Sequence, residues 1–396
     1  MRILMACMQF PTGGGGSYMT TELAQALVTE GHEVEVLLID WNALPGGPEA
    51  SPTVWSGVRI IHATPRAVAG LGDLGRNASK FLLTGRHAAK VAREQLNLAG
   101  FDMFIAWAPA LAIAPLIRSV RRAGVKRRLL FIWDIFPDHH HEIGRIPAGP
   151  AYWIARAWEQ SLMGDFTALL CTLPQNADYL RRRFRLKPGQ ALLVAPIWSD
   201  TSPPQAVDRA SMRRMHGLPE DRPIGVFGGQ LVEGRGFDQM LAAAERGPAA
   251  GSPLVFLFVG DGRLAPMIRE HAQASDNVLW RPPLPRGDYL QLLTACDVGL
   301  VATVPGVSSF SIPSKTMDYL RAGLPVTASV EPGSDFAALL EHYGVGRSVP
   351  FGDAVGFLAA AEGLAAGPSV TEAARRCLDE VFHVRHAVAA VMQAAG

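Results

Sequence analysis

Short apolar runs alternate with helical patterns through the first half of the chain. Arg2 to Cys7 is an apolar run, a glycine-rich loop follows, residues Tyr18 to Glu30 have helical periodicity, and Glu33 to Ile39 is again apolar. This order predicts a strand–helix–strand unit. Further strands are predicted at Val58 to His62, Met103 to Trp107, Leu129 to Ile132 and Ala168 to Cys171. The alternation is typical of a parallel sheet with helices on both faces.

The alternation breaks near Pro196 and begins again at Pro223. Residues 196–204 are rich in Pro and Ser, which indicates a linker. We therefore predict an α/β protein with two Rossmann-like, doubly wound domains, residues 1–200 and 201–370, which face one another across a cleft. We expect ligands to bind in this cleft. Residues 371–396 have a long helical pattern. The second set of strands is predicted at Ile224 to Phe227, Leu254 to Val259, Val278 to Arg281, Val298 to Ala302 and Pro325 to Ala328.

Composition is that of a globular protein with two cores. Of the 396 residues, 48% are apolar and 18% charged. Residues 1–200 hold 21 Lys and Arg against 16 Asp and Glu, a charge of +5, which leaves −4 for the rest. The four cysteines are scattered in apolar surroundings and predict buried thiols. The longest apolar run, Phe104 to Ile117, is too short to span a membrane, so we expect a cytoplasmic protein or one bound at the membrane surface.

Glycine-rich turns follow the first strand of each half. Gly14 and Gly15 lie in a turn whose backbone N–H groups could approach a phosphate, although a ligand-free hinge remains an alternative. The sequence is not G-x-G-x-x-G, which makes a nicotinamide enzyme a weak alternative. In the second half, Gly229, Gln230 and Arg235 lie in a similar turn, where Arg235 could bind a diphosphate or simply face solvent. Gly260 and Gly262 follow the next strand, in a turn that could line the nucleotide.

A polar loop leads into a short helix between Ser308 and Val326. Pro313 and Ser314 predict the helix start, with Ser314 as the N-cap, and Gly323 predicts its end. The N-terminus of such a helix favours an anion such as a diphosphate. Asp318, one turn further along, could accept hydrogen bonds from a ribose diol.

Ionisable residues crowd the loop after the strand that ends at Ile132. Asp134 or one of three histidines, of which we select His139, could orient an acceptor hydroxyl or carry a proton. Solvated loop histidines are the alternative. Adjacent histidines cannot all point at one ion from regular structure, so we predict no metal site.

Two basic clusters occur in the first half, and each borders apolar residues. Leu116 and Ile117 adjoin the first cluster, and Phe184 and Leu186 adjoin the second. Such faces could bind anionic lipid, with a solvated helix surface as the alternative, and no motif indicates nucleic acid. The clusters are Arg118, Arg121, Arg122, Lys126, Arg127 and Arg128, and then Arg181, Arg182, Arg183, Arg185 and Lys187.

With these features placed, the chain resembles the retaining glycosyltransferases of family four, which have the GT-B fold. The resemblance rests on "LAQALVTEGHEVEVL", "WDIFPD", "FGGQLVEGRGFD", "FVGDGRLAPMI" and "SIPSKTMDYLRAGLPVTAS". The segment "PSKTMDYLRAG" is similar to the version in enzymes that build bacterial surface polysaccharides. By this resemblance, Asp318 takes the place of the ribose-binding Glu and Arg235 that of the diphosphate-binding Lys. It also suggests that the C-terminal helix packs back on the first domain.

The chain departs from the family pattern at three places. The family's second diphosphate-binding Arg falls on Gln230, which leaves the phosphate charge to Arg235, Lys315 and helix dipoles. The first Glu of the usual carboxylate pair falls on Phe310, so Ser309 and Ser311 become candidates for contacts with the donor sugar. The histidine common in the family's first domain has no clear match.

The resemblance implies transfer of a sugar from a nucleoside diphosphate to a hydroxyl of a glycan or lipid-linked acceptor, without a metal or other cofactor. Two alternatives are a sugar-nucleotide 2-epimerase and an inactive subunit that binds nucleotide sugar.

Overall fold

The computed structural model describes residues 1–12, 18–41, 43–68, 73–307 and 312–396, with the backbone alone at 73–78 and 81. It divides the chain into two compact units. Unit 1 comprises Met1–Ser199 and Val384–Gly396, and unit 2 comprises residues 200–307 and Ile312–His383. Among the described helices, none is long and apolar enough to cross a membrane.

Unit 1 contains a sheet of eight strands in the order β3-β4-β2-β1-β5-β6-β7-β8, parallel except for the β3–β4 pair. Its strands are β1 (Arg2–Cys7), β2 (Glu33–Ile39), β3 (Thr53–Trp55), β4 (Val58–Ala63), β5 (Met103–Trp107), β6 (Arg127–Ile132), β7 (Ala168–Cys171) and β8 (Ala191–Val194). Its helices are α1 (Met19–Thr29), α2 (Asp73–Gln95), α3 (Ala114–Arg122), α4 (Asp138–Glu142), α5 (Pro150–Met163) and α6 (Pro174–Arg183), with 3₁₀ turns at Leu98–Gly100 and Ala110–Ile113.

Unit 2 contains a parallel sheet of six strands in the order β11-β10-β9-β12-β13-β14. Its strands are β9 (Ile224–Gly228), β10 (Val255–Val259), β11 (Val278–Arg281), β12 (Val298–Ala302), β13 (Val326–Ser329) and β14 (Gly346–Val349). Its helices are α7 (Arg209–Met215), α8 (Phe237–Arg246), α9 (Ala265–Ala274), α10 (Arg286–Leu293), α11 (Lys315–Arg321), α12 (Asp335–Tyr343), α13 (Ala354–Ala365) and α14 (Thr371–Cys377), with a 3₁₀ turn at Pro248–Ala250 and a π-turn at Leu378–Phe382.

The predicted α/β class is confirmed, because mainly parallel strands alternate with helices in both units, and the unit 1 sheet has a hydrophobic core on each face. In β1, Leu4 and Ala6 point into the core beneath α2 and α3, whereas Ile3 and Met5 point into the core beneath α1. Alternate side chains of a strand point to opposite faces, so a strand buried on both faces becomes a continuous apolar run.

The C-terminal stretch is not the single helix that its periodicity suggests. Helix α14 is followed by the π-turn, and His383 then takes an extended conformation before α15 (Val384–Ala395) begins. Helix α14 packs against α11 and α12 in unit 2, whereas α15 packs against α1, β6 and β8 in unit 1. Because one extended residue redirects the axis, the two helices belong to different units.

The residues predicted to form a linker are fastened by specific contacts. Trp198 is buried in unit 1, where its indole Nε1 donates a hydrogen bond to the Met19 carbonyl at 2.7 Å. Within unit 2, the Arg321 guanidinium donates to the Asp200 carboxylate at 3.0 Å and to the Ser202 carbonyl at 2.9 Å. Each end of this segment is therefore anchored within its own unit.

The prediction of buried thiols is confirmed. Cys7, Cys171, Cys296 and Cys377 are buried and free, and burial raises the pKa of each thiol to about 12. A thiol that stays protonated at neutral pH is a poor nucleophile and a poor metal ligand.

Candidate active site

The strand order of unit 2 creates a crevice at the carboxyl ends of β9 and β12. From β9 the chain proceeds through β10 to β11 on one side, and then places β12 on the other side of β9. The loops after β9 and β12 therefore diverge, and ligands of doubly wound sheets bind at such a point. Arg235 lies in the first loop, and Lys315 and Asp318 follow the second.

Three predicted glycines hold the loops after β9 and β10 against each other. A Cβ atom at Gly260 would lie 1.9 Å from the Gly229 carbonyl oxygen, and one at Gly262 would lie 2.4 Å from the Leu231 carbonyl oxygen. Both glycines have positive φ, at 149° and 151°. The Gly229 N–H donates to the Val259 carbonyl at 3.0 Å, so this amide already has a backbone partner. Close packing explains these glycines, and their contact with a ligand stays a prediction.

Arg235 lies on the rim of the crevice, in the exposed loop between β9 and α8. The next residue, Gly236, has φ 59°, and a Cβ atom there would lie 2.5 Å from the Ala302 Cβ at the end of β12. This close approach holds the Arg235 loop beside the strand that bounds the crevice. Gln230, at the start of the same loop, is also exposed.

Lys315 brings a second cation to the crevice. Its Nζ lies 4.0 Å from the centroid of the Phe227 ring, a cation–π distance. Burial lowers the pKa of Lys315 well below its ordinary value, and the charge of Arg235 lowers it further, while Asp318 acts in the opposite direction. Arg235 and Lys315 therefore act on each other electrostatically across the crevice.

Asp318 is buried and forms a two-pronged ion pair with Arg286, the first residue of α10. Arg286 Nη1 lies 2.6 Å from Asp318 Oδ2, and Nη2 contacts Oδ1 in parallel. The planar guanidinium fixes the plane of the carboxylate. Each carboxylate oxygen has two acceptor positions, so the group keeps acceptor capacity beyond these two bonds.

A buried tyrosine supports the floor of the crevice. The Tyr319 hydroxyl accepts a hydrogen bond from the Gly228 N–H at 3.2 Å and donates one to the Leu300 carbonyl at 3.3 Å. Burial raises the pKa of Tyr319 far above its ordinary range, so the hydroxyl stays protonated. Tyr319 thereby ties α11, which carries Lys315 and Asp318, to β9 and β12.

Ser314 stands at the predicted helix start, directly before Lys315, but the predicted capping by its side chain is wrong. Ser314 has helical dihedral angles, and its side chain makes no capping hydrogen bond. The first turn instead begins one residue earlier, because the Pro313 carbonyl accepts from the Thr316 N–H at 2.9 Å. Ser314 is exposed. Four other predicted donor-binding residues, Gly14, Gly15, Ser309 and Ser311, lie outside the described residues.

Unit 1 has a corresponding crevice, between the ends of β1 and β5, and it contains an aromatic cavity of about 170 Å³. Gln9, Tyr18, Trp107 and Trp133 contribute to its wall. The Trp107 and Trp133 ring centroids are 5.7 Å apart, and the Trp107 Nε1 is buried without a hydrogen-bond partner among the described residues. The cavity thus has an aromatic wall, which suits contact with a sugar ring.

The predicted acceptor-side residues follow β6. Asp134 is exposed, and His139 is half-buried in α4. Burial lowers the pKa of the neighbouring His140, which favours its neutral form, and a ring nitrogen of His141 lies 2.8 Å from the Ile146 carbonyl oxygen. Within the described parts of the chain, no group of His, Cys, Asp and Glu residues is arranged to hold a metal ion.

Sequence reasoning missed the carboxylate that positions this loop. Asp138 is 1% exposed and accepts hydrogen bonds from the hydroxyls of Tyr152, at 3.0 Å, and Tyr179, at 2.9 Å. Arg156 Nε adds a third bond at 3.1 Å. Asp138 therefore fastens α4, with His139, to α5 and α6. Asp138 is the last residue of the motif "WDIFPD", but its three partners lie 14 to 41 residues away in the sequence and could not be recognised from the motif.

A second buried carboxylate, Glu159 of α5, was also missed. Its two oxygens accept from the backbone N–H groups of Ala110, at 2.7 Å, and Leu111, at 2.8 Å. These amides begin the 3₁₀ turn that leads into α3, so Glu159 acts as a helix cap supplied from another element. Burial raises the pKa of Glu159 to about 7, although the two amide bonds oppose the shift.

Comparisons with known proteins show similarity to glycosyltransferases. Residues 13–196 match the family model described as "Glycosyl transferase 4-like domain". The chain is similar to "Probable glycosyltransferase WbjE" of Pseudomonas aeruginosa, with 28% identity over 69% of this chain and 67% of the relative. It is also similar to "Putative colanic acid biosynthesis glycosyl transferase WcaI" of Escherichia coli K12, with 25% identity over 83% of each chain.

Among solved structures, a UDP-forming α,α-trehalose-phosphate synthase from Burkholderia xenovorans, in complex with glucose-6-phosphate, has a TM-score of 0.72. The two chains are 14% identical, and the match covers 100% of each. At this identity the likeness shows a shared fold.

Proposed function

We propose that this chain, a glycosyltransferase of the family 4 type with the GT-B fold, transfers a sugar from a nucleoside-diphosphate donor to a hydroxyl, with retention at the anomeric carbon. Among its relatives is a protein named for colanic acid biosynthesis, which supports a role in surface polysaccharide synthesis. The observation that carries the proposal is the set of charges in unit 2, where Arg235 and Lys315 lie beside the Arg286–Asp318 pair.

The donor diphosphate would bind between Arg235 and Lys315. A guanidinium binds phosphate oxygens bidentately, and an anion beside a lysine favours its protonated form. Asp318 would accept hydrogen bonds from the ribose diol with the lone pairs that Arg286 leaves available. Gly229, Gln230, Gly260, Gly262 and Ser314 lie in the surrounding turns and remain candidate donor contacts.

The chemistry would be mainly electrostatic and would need no metal or other cofactor. The bond from the anomeric carbon to the diphosphate breaks, the acceptor oxygen bonds to that carbon, and the departing phosphate takes the acceptor proton. Arg235 and Lys315 would stabilise the charge that develops on the leaving diphosphate. Asp134 or His139 would orient the acceptor hydroxyl.

The acceptor would be a glycan or a lipid-linked sugar bound by unit 1. Trp107 and Trp133 in the wall of its aromatic cavity would contact a sugar ring. A lipid-linked acceptor implies that the enzyme works in the cytoplasm at the inner face of a membrane.

The first experiment is a thermal-shift screen with uridine, guanosine and thymidine diphosphate sugars, since a ligand of the folded state raises its stability. With the donor found, Arg235→Ala should reduce turnover by about 100-fold or more, the usual effect of losing one main contact to developing charge. Arg246→Ala, at the exposed far end of α8, is the matched control. Turnover near that of the wild type in Arg235→Ala would refute the role of Arg235.

The same assays separate the alternatives. A 2-epimerase would convert the donor sugar with no acceptor present. An inactive subunit would bind the donor but give neither transfer nor hydrolysis above background.

A further inference from the structure

Helix α5 exposes large apolar side chains to solvent. Trp153 is 57% exposed, Ile154 64% and Trp158 39%. The opposite face of α5 packs into unit 1 through Tyr152 and Glu159, among others. Two tryptophans and an isoleucine on the outer face of one helix form an apolar patch of the kind that marks an interaction site.

A basic segment lies directly against this helix. The Gln160 side-chain amide donates to the Arg185 carbonyl at 2.8 Å, and its oxygen accepts from the Arg185 N–H at 2.7 Å. Arg156 donates to the Arg183 carbonyl, and its guanidinium lies 4.7 Å from the Phe184 ring centroid. We call residues 181–187 the basic segment; its exposed cations are Arg181, Arg182, Arg183, Arg185 and Lys187.

Ion pairing leaves much of this charge available. Arg181 pairs with Asp178 at 2.9 Å, and Arg183 lies 3.8 Å from the buried Asp138. Arg182, Arg185 and Lys187 have no ion-pair partner among the described residues. The patch thus combines exposed indole rings with at least three cations on adjoining elements.

The other basic cluster lacks the apolar component, which corrects the expectation that each cluster borders an apolar face. Leu116 and Ile117 are fully buried on the inner face of α3. In the second cluster, Phe184 is also buried, so the apolar residues that accompany this cluster are those of α5. Cations without exposed apolar side chains are typical of a solvated helix surface.

We propose that the outer face of α5 and the basic segment dock on an anionic lipid bilayer. Tryptophan rings settle at the level of lipid headgroups, and neighbouring Lys and Arg side chains bind lipid phosphates. The positive charge makes the bilayer the occupant that the patch fits, since a second copy would bring cations against cations. The inference deepens the proposed function, because docking would bring unit 1 to a lipid-linked acceptor.

The test is co-flotation of the full chain with vesicles. The protein should float with vesicles of equal parts phosphatidylglycerol and phosphatidylcholine, but not with phosphatidylcholine alone. Binding should weaken when salt rises from about 50 mM to about 500 mM, because the Debye length shortens. The double variant Trp153→Ser/Trp158→Ser and the triple variant Arg182→Gln/Arg185→Gln/Lys187→Gln should each reduce partitioning by about tenfold or more.

The matched charge control is the triple variant Arg118→Gln/Arg122→Gln/Lys126→Gln, which removes the same charge from exposed residues of the other cluster. The matched apolar control is Met215→Ser/Val355→Ser, at exposed positions of unit 2. Both controls should float like the wild type. Equal loss in variants and controls, or no flotation of the wild type, would overturn the proposal. So would selective binding of acidic proteins in place of vesicles.

Donor hydrolysis without vesicles separates this inference from the proposed function. The α5 and basic-segment variants should hydrolyse donor at the wild-type rate, which also shows that they fold. Hydrolysis without flotation would refute the docking surface alone. Flotation without hydrolysis or transfer would refute the proposed function and leave the surface standing.

Discussion

The Arg286–Asp318 pair supports a quantitative prediction. Removing the guanidinium by Arg286→Ala would leave a carboxylate that is 12% exposed without its cation. Breaking a fully buried pair in this way costs about 3–5 kcal/mol, whereas an exposed pair contributes about 0–1 kcal/mol. Because the Arg286 side chain is 33% exposed, we expect a loss in unfolding free energy between these limits, about 2 kcal/mol.

The pair should also affect donor binding, because Arg286 sets the orientation of the carboxylate proposed to bind the ribose. Asp318→Ala removes that acceptor, and we expect the donor dissociation constant to rise by about tenfold, or 1.4 kcal/mol. Arg286→Ala leaves the carboxylate in place but frees its rotation, so we expect a smaller rise.

The assay is a double-mutant cycle with wild type, Arg286→Ala, Asp318→Ala and the double variant. Urea unfolding gives the coupling energy of the pair, and calorimetry with the donor gives the dissociation constants. The control cycle uses Arg214 and Glu220, a pair in the same unit whose side chains are 58% and 51% exposed. We expect coupling of about 2 kcal/mol for the first pair and below about 0.5 kcal/mol for the control.

A coupling energy no larger than that of the control would show that the guanidinium and the carboxylate act independently. An unchanged donor dissociation constant in Asp318→Ala would exclude the ribose contact. That second result would leave the structural ion pair intact, so the two parts of the reasoning can fail separately.

Three further predictions follow from burial. An anionic diphosphate should raise the lowered pKa of Lys315 back toward its ordinary value, so nucleotide binding should be accompanied by proton uptake. The binding enthalpy measured by calorimetry should then depend on the ionisation enthalpy of the buffer. A wild type without this dependence, or a Lys315→Met variant that keeps it, would contradict the placement of the diphosphate beside Lys315. Burial raises the pKa of Glu159 from 4.5 to about 7, so between pH 4.5 and about 7 the folded state binds more protons than the unfolded state. The unfolding free energy should therefore fall by up to about 3 kcal/mol as the pH rises through that range. Urea unfolding at several pH values should show this slope in the wild type and not in Glu159→Gln, and equal slopes would refute it. Gly260→Ala would place a Cβ atom 1.9 Å from the Gly229 carbonyl oxygen and should lower the unfolding free energy by about 3 kcal/mol. The control is Gly251→Ala, where positive φ is the one obstacle and the expected loss is about 1 kcal/mol. Equal losses of unfolding free energy for the two variants in urea would contradict this prediction.

The central strands could be predicted from the sequence almost residue by residue. β1, β2, β5, β7, β11 and β12 have the predicted bounds. For all of these except β11, which lies at a sheet edge and is partly exposed, burial on both faces produces an unbroken apolar run. Three of the four edge strands, β3, β8 and β14, were missed. They are short and partly exposed, and β14 reads Gly-Arg-Ser-Val, so no run separates them from a loop.

The match of residues 13–196 to the family model, and the glycosyltransferases among the curated relatives, agree with the family resemblance. The strand order also brings Arg235, Lys315 and Asp318 to one crevice, because carboxyl ends of parallel strands share an edge. The partner of Asp318 could not be predicted. Arg286 lies 32 residues earlier at the start of a different helix, and a single arginine there carries no periodic signal.

Arg286 changes how the crevice is expected to treat a diphosphate. By the family resemblance, Gln230 stands where a second diphosphate-binding Arg would be, and an unpaired Asp318 would add negative charge near the same ligand. In this chain a guanidinium forms two hydrogen bonds to the carboxylate, so the negative charge of Asp318 is partly balanced before it acts on Arg235 and Lys315. A charge missing from one loop is thus compensated by an arginine on another element. The electrostatic potential at the crevice depends on the whole set of charges, and an assessment from position 230 alone would underestimate how positive this potential is.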